Sequence, residues 1–137
     1  MLNANSIHMQ SFQGYMAPEL YPKAKAAFTG ESYKPKEFCY DAKAVDIYAM
    51  GVCLFEMFNL SKPFPEDMNS DTMSKILAQE IKYHNRDVEE ACKELISSML
   101  RMVSNERPIV DAVLKHRWIC FGTVVNKVTT WLEKIVS

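Results

Sequence analysis

DAKAVDIYAMGVCLFEMFN, residues 41–59, reads as one long helix, and the rest of the chain can be organised around it. Asp41 is suited to cap it, because a carboxylate there accepts from the first free helical amides. Behind the cap, Ala44, Val45, Ile47, Tyr48, Met50, Val52, Cys53, Leu54, Phe55, Met57 and Phe58 leave no polar face. A helix apolar all round is expected at the centre of a core. The run is short for a membrane span and carries Asp46 and Glu56, which argues against one. Asp46 then needs an explanation. A carboxylate in a buried helix must find donors, since an unpaired buried anion costs several kcal/mol.

Two further blocks flank the helix. Tyr15-Met16-Ala17-Pro18-Glu19 precedes it; Glu106-Arg107-Pro108, with Ala112-Val113-Leu114-Lys115-His116-Arg117-Trp118, follows it. Together with Asp46-Ile47-Tyr48-Ala49-Met50-Gly51, they resemble eukaryotic protein kinases. The resemblance lies in the A-P-E end of the activation segment, the D-x-W-x-x-G opening of a central helix, and the R-P…A-x-L-x-H-x-W close. Three blocks in the family's order, over residues 12–119, make the resemblance specific. It implies a mainly α fold, the helical C-lobe of a kinase domain. Residues 1–119 would be a partial kinase domain and residues 120–137 a helical extension.

Residue roles follow from the same resemblance. Gly14, Tyr15 and Met16 would line the substrate pocket, and Glu56 would hold an arginine preceding the phosphoacceptor. Glu19 and Arg107 would form a structural ion pair, for which a planar guanidinium fork is suited. Asp46 would anchor the backbone of the catalytic loop. It shares one helix face with Met50, Cys53 and Met57, which step by helical spacings. Tyr48 replaces the usual Trp near the A-P-E glutamate. Phe12 stands where serine/threonine kinases usually place a Thr.

The remaining chain reads as loops and amphipathic helices. Residues 1–13 and 23–40 are expected as loops. Leu60-Ser61-Lys62-Pro63-Phe64-Pro65 breaks the central helix, with Phe64 as a buried anchor. Asp71 would cap a helix over residues 72–82, the G helix of the resembled fold. A second buried helix is expected over residues 89–103, then one with Pro108 in its first turn. Val124, Val125, Val128, Trp131, Leu132 and Ile135 recur at helical spacing, giving a helix over residues 124–136 that packs on the lobe or presents a stripe to a partner.

Composition bounds the partners. Of 137 residues, 48% are hydrophobic, enough for a core. The net charge is −1 and the 16 basic residues are scattered, so neither nucleic acid nor membrane is expected as a partner. Cys39, Cys53, Cys92 and Cys120 lack zinc-site spacing, so no metal site is expected. Cys53 and Cys92 are expected as buried free thiols of a cytoplasmic protein, which has no apolar leader.

The 137 residues contain four glycines, no glycine-rich loop and no D-F-G. His84-Asn85-Arg86-Asp87 only faintly echoes H-R-D, and it follows A-P-E instead of preceding it. Phosphoryl transfer needs those parts. The expectation is therefore a fragment of a serine/threonine protein kinase, itself noncatalytic and without a cofactor. A complete parent would use ATP and magnesium to phosphorylate protein hydroxyls. The alternative is a stand-alone pseudokinase-like module that docks a kinase or substrate through the G helix and activation segment.

Overall fold

The computed structural model describes residues 13–21, 40–65, 70–120 and 134–136. Their elements are helical: α1 (Ala42–Asn59), α2 (Ser70–Leu77), α3 (Glu90–Met99), α4 (Val110–Leu114) and α5 (Arg117–Cys120). Short 3-10 turns stand at Gln13–Tyr15, Pro18–Leu20 and Ser104–Glu106. No strand occurs among the described residues, in keeping with a helical kinase lobe.

Helix α1 begins where the sequence places it. The Asp41 side chain accepts from the Lys43 amide at 2.9 Å. It ends at Leu60, whose backbone turns left-handed (φ 54°) while its amide reaches the Glu56 carbonyl. One face packs across α3, where Tyr48, Val52 and Phe55 meet Cys92, Ile96 and Leu100. Gly51 permits this approach, since a Cβ there would lie 2.9 Å from Met99 Cβ. Ile47, Leu95, Met99 and Val113 continue the core towards α4. A third cluster joins Tyr21, Phe64 and Ile76, so Phe64 is a buried anchor.

The opposite face of α1 is open, so the helix is not buried all round. Asp46 and Cys53 are exposed, Met50 is 49% exposed and Met57 74%. An exposed carboxylate is open to solvent, so Asp46 needs no buried donor. The apolar pattern reported two faces that want cover, and the described residues cover one. Cys92 is a buried free thiol as expected, whereas Cys53 and Cys120 are exposed. Cys39 lies outside the described residues.

Helix boundaries also shift. Helix α2 stops at Leu77, short of residue 82, because Gln79 adopts a left-handed turn (φ 51°) and its side-chain amide donates to the Leu100 carbonyl. Asp71 sits within the helix and pairs with Lys75 at 2.6 Å instead of capping. Helix α3 stops at Met99, not residue 103. The Arg101 and Met102 carbonyls are turned to accept from the Arg107 side chain, which takes them out of a helical ladder. Pro108 precedes the Ile109 cap of α4 instead of occupying its first turn. Of the helix expected over residues 124–136, residues 134–136 are described and helical, with Ile135 and Val136 exposed. Trp131 and Leu132 lie outside the described residues, as do Phe12 and, except for Gln13 and Tyr40, the stretches over residues 1–13 and 23–40 that are expected as loops.

Candidate functional site

Arg107 is fully buried at the junction of three chain segments, and its guanidinium places all five of its N–H donors. Two parallel bonds of 2.7 Å run to the Glu19 carboxylate. The others reach the backbone carbonyls of Ala44, Arg101 and Met102. Glu19 follows Pro18 on a 3-10 turn, and that turn sets its carboxylate against the start of α1. Tyr21 closes the turn, its hydroxyl donating to the Met16 carbonyl at 3.0 Å. Burial, and then the nearby Glu19 charge, push the Tyr21 phenol up to about 12. The expected pair thus exists as a bidentate clamp between the segment ahead of α1 and the turn behind α3.

Gly14, Tyr15 and Glu56 come together at the C-terminal end of α1. The Tyr15 hydroxyl donates to Glu56 Oε2 at 2.6 Å. That bond, ahead of desolvation, raises the Tyr15 pKa because the phenol must stay protonated to donate. The Lys62 ammonium lies 4.5 Å from the Tyr15 ring centroid. Its stem crosses Gly14 closely enough that a Cβ at residue 14 would meet Lys62 Cδ at 2.5 Å. Glu56 and Lys62 also line an open groove of ≈ 470 Å³ with Ser61, Pro63, Phe64, Pro65 and His84. Met16 is half-buried and packs against the cluster around Phe64. Asp46 stands apart, on the exposed face of α1.

Two contributors carry no motif signal. Asn59 Oδ1 accepts from the His84 and Asn85 amides, and Asn85 Nδ2 donates to the Phe58 carbonyl. This clasp sets the rim of the groove. Asparagine at a helix end with a second asparagine in a connector was the available signal, but sequence reading gives no partner for either. Lys62 was visible only as part of a helix-breaking loop.

Among the described residues, no group of three His, Cys, Asp or Glu side chains is arranged to hold a metal. The exposed Asp46 lies on one helix face with the apolar Met50 and Met57, which is no donor set for phosphate or a hard cation. No helix among the described residues is long and apolar enough to cross a membrane.

The protein kinase domain family model matches residues 3–119. A putative serine/threonine-protein kinase of Saccharomyces cerevisiae is 31% identical over 112 residues, 81% of this chain and 11% of that protein. The human SNF-related serine/threonine-protein kinase is 36% identical over 81 residues, 58% of this chain and 10% of that protein. A calcium/calmodulin-dependent protein kinase of Emericella nidulans is 30% identical over 80 residues, 56% of this chain and 19% of that protein. The chain therefore spans 10% to 19% of the length of these relatives. With its A-P-E glutamate clamped to the R-P arginine beneath a central helix, the chain belongs to the protein kinase domain family.

Proposed function

We propose that these residues form the substrate-side framework of a serine/threonine protein kinase domain, and that the 137-residue chain alone transfers no phosphate. The carrying observation is the Tyr15–Glu56 bond of 2.6 Å at the mouth of an open groove. It sets a carboxylate, a phenol and two prolines along a surface that an extended peptide can occupy. The Arg107–Glu19 clamp holds the segment bearing Tyr15 to the same helical body. In this reading Gly14, Tyr15, Met16 and Glu56 receive a protein substrate, and the complete parent supplies phosphate from ATP to its hydroxyl.

The test has two arms. Mg-ATP should leave the melting temperature of the chain unchanged, whereas a ligand at 100 times its Kd stabilises by roughly 2.7 kcal/mol. A seryl peptide should perturb the amide resonances of Gly14, Tyr15 and Lys62 in an NMR titration. Mg-ATP-dependent stabilisation, or phosphate transfer lost on mutating a residue of this chain, overturns the noncatalytic reading. Peptide binding that leaves those three resonances unmoved overturns the docking reading.

A stand-alone pseudokinase-like module is the second reading. It is favoured by the exposed apolar side chains of α1 and by Leu77 on α2, which is 52% exposed. Such surface is suited to another protein chain.

A further inference from the structure

We infer that Lys62 is a specificity-determining residue: it serves as an internal cation for Glu56 and turns the groove away from basic side chains. The inference rests on the reading of this groove as a peptide-docking site.

A lone carboxylate in an open groove would take a cationic side chain from a ligand, by a charge-assisted bond. Glu56 is not in that condition. One of its oxygens already accepts from Tyr15 at 2.6 Å. The face of the same tyrosine carries the Lys62 ammonium at 4.5 Å. The Lys62 charge acts on the Tyr15 phenol in the opposite sense to that of Glu56. Lysine and carboxylate therefore meet on one tyrosine, the ammonium over its ring and the carboxylate at its hydroxyl. A cation over an aromatic face is held by the ring quadrupole.

The local sequence fixes this arrangement from both ends. Gly14 leaves room for the lysine stem, because a Cβ there would lie 2.5 Å from Cδ, 3.0 Å from Cε and 3.1 Å from Nζ. Pro63 follows Lys62 and restricts its backbone to extended conformations. The left-handed turn at Leu60 brings the loop back along the end of α1. An incoming guanidinium must share Glu56 with Tyr15 and meet the field of Lys62, which is of like sign. Discrimination can arise from repulsion as readily as from a new attraction. A neutral side chain of the same length meets no such penalty, and it can lie along Pro63, Phe64 and Pro65.

The experiment compares two seryl peptides that differ at one position, arginine in one and its neutral isostere citrulline in the other. That position is moved in turn to each site preceding the serine. Binding is measured by NMR titration of the full chain and of Lys62→Met, which keeps most of the stem and removes the charge. Lys62→Gln supplies the same readout if the methionine variant does not fold. The expected result is Kd values within about twofold for the two peptides on the unmodified chain. Loss of the lysine charge should bring a preference for arginine of about three- to fivefold, the range of partly exposed ion pairs. Adding Glu56→Gln to Lys62→Met should abolish that preference. An arginine preference in the unmodified chain, or none in the lysine variants, overturns the inference. Equal binding of both peptides to every protein does so while leaving the docking reading intact. Failure of either peptide to bind any of the proteins removes the docking reading and the inference with it.

Discussion

The guanidinium of Arg107 lies over the ring of Tyr48, with Cζ 5.0 Å from the ring centroid. Both residues are buried, Tyr48 at 1% exposure. Stacking uses the guanidinium face, while its edge supplies the five hydrogen bonds. The two modes are compatible only for a planar cation. Tyrosine therefore supports the clamp in the position where the resembled family usually has tryptophan. Its phenol is pushed well above the ordinary range by burial. Arg107→Ala leaves three backbone carbonyls and Glu19 without their donors, and should cost about 3–5 kcal/mol. Glu19 keeps 20% side-chain exposure, so Glu19→Gln should cost less, about 1–2 kcal/mol. Arg107→Lys should fall between them, since one ammonium cannot replace a fork. Urea denaturation midpoints check the order, and an Arg107→Ala variant within about 1 kcal/mol of the parent contradicts it.

Gly51→Ala should destabilise. Helix propensity alone favours the change by about 1 kcal/mol. The new methyl group would stand 2.9 Å from Met99 Cβ and 3.0 Å from Leu100 Cδ2. The first obstacle is fixed to the backbone of α3, so the helices must part. Overpacking of this kind costs about 1–3 kcal/mol and should outweigh the propensity gain. A midpoint equal to or above that of the parent would show that α1 and α3 separate at little cost.

Leu60→Gly should stabilise. Leu60 holds φ 54°, a conformation that costs a side-chain-bearing residue roughly 1–2 kcal/mol. The leucine is 91% exposed, so truncation forfeits almost no burial. Glycine loses about 0.4–1 kcal/mol through the freedom of its unfolded chain. The net gain expected is about 0.5–1 kcal/mol, read as a higher thermal midpoint. A lower midpoint would mean the leucine has a covering partner.

Alkaline pH should weaken the fold. Burial raises the Cys92 thiol from its ordinary 9.0 to about 11, and the Tyr21 and Tyr83 phenols from 10.0 to about 12. All three hold their protons more tightly when folded. Their contribution is complete below the ordinary values and is lost as pH rises through the folded ones. The thermal midpoint should therefore fall from about pH 9 to about pH 12. Cys92→Ala should flatten the first part of that fall, whatever it does to stability at neutral pH. An unchanged slope in the variant would remove Cys92 as a contributor.

Much of this was legible in the chain. The three blocks located α1, the clamp and the end of the lobe, and Asp41 marked its cap because capping is local chemistry. What failed was non-local. The pattern of α1 shows which side chains avoid water, but not whether other chain covers both faces, and Asp46, Met50, Cys53 and Met57 lie on the face left open. The sequence pattern carries helix α3 on to Val103 because apolar spacing continues there. The Arg107 side chain takes those carbonyls from outside the helix, and no spacing rule contains that. Lys62 read as a loop residue because its role depends on Gly14 and Tyr15, far away in sequence.

The two faces of α1 should respond oppositely to substitution. Phe55 is 1% exposed, its ring 5.1 Å from that of Tyr83, and Val52 is fully buried. Phe55→Ala should cost about 3–5 kcal/mol through lost burial and a residual cavity. Met57→Lys and Met50→Lys lie on the exposed face and should stay within about 0.5 kcal/mol of the parent. Both lysine variants should also lower self-association in light scattering, because they interrupt apolar surface with nothing described above it. The two measurements separate the possibilities. A stability loss of about 2 kcal/mol or more in either lysine variant would mean that face is covered within the chain, as the apolar pattern first implied. Unchanged stability with reduced association identifies it as the surface on which α1 meets another polypeptide.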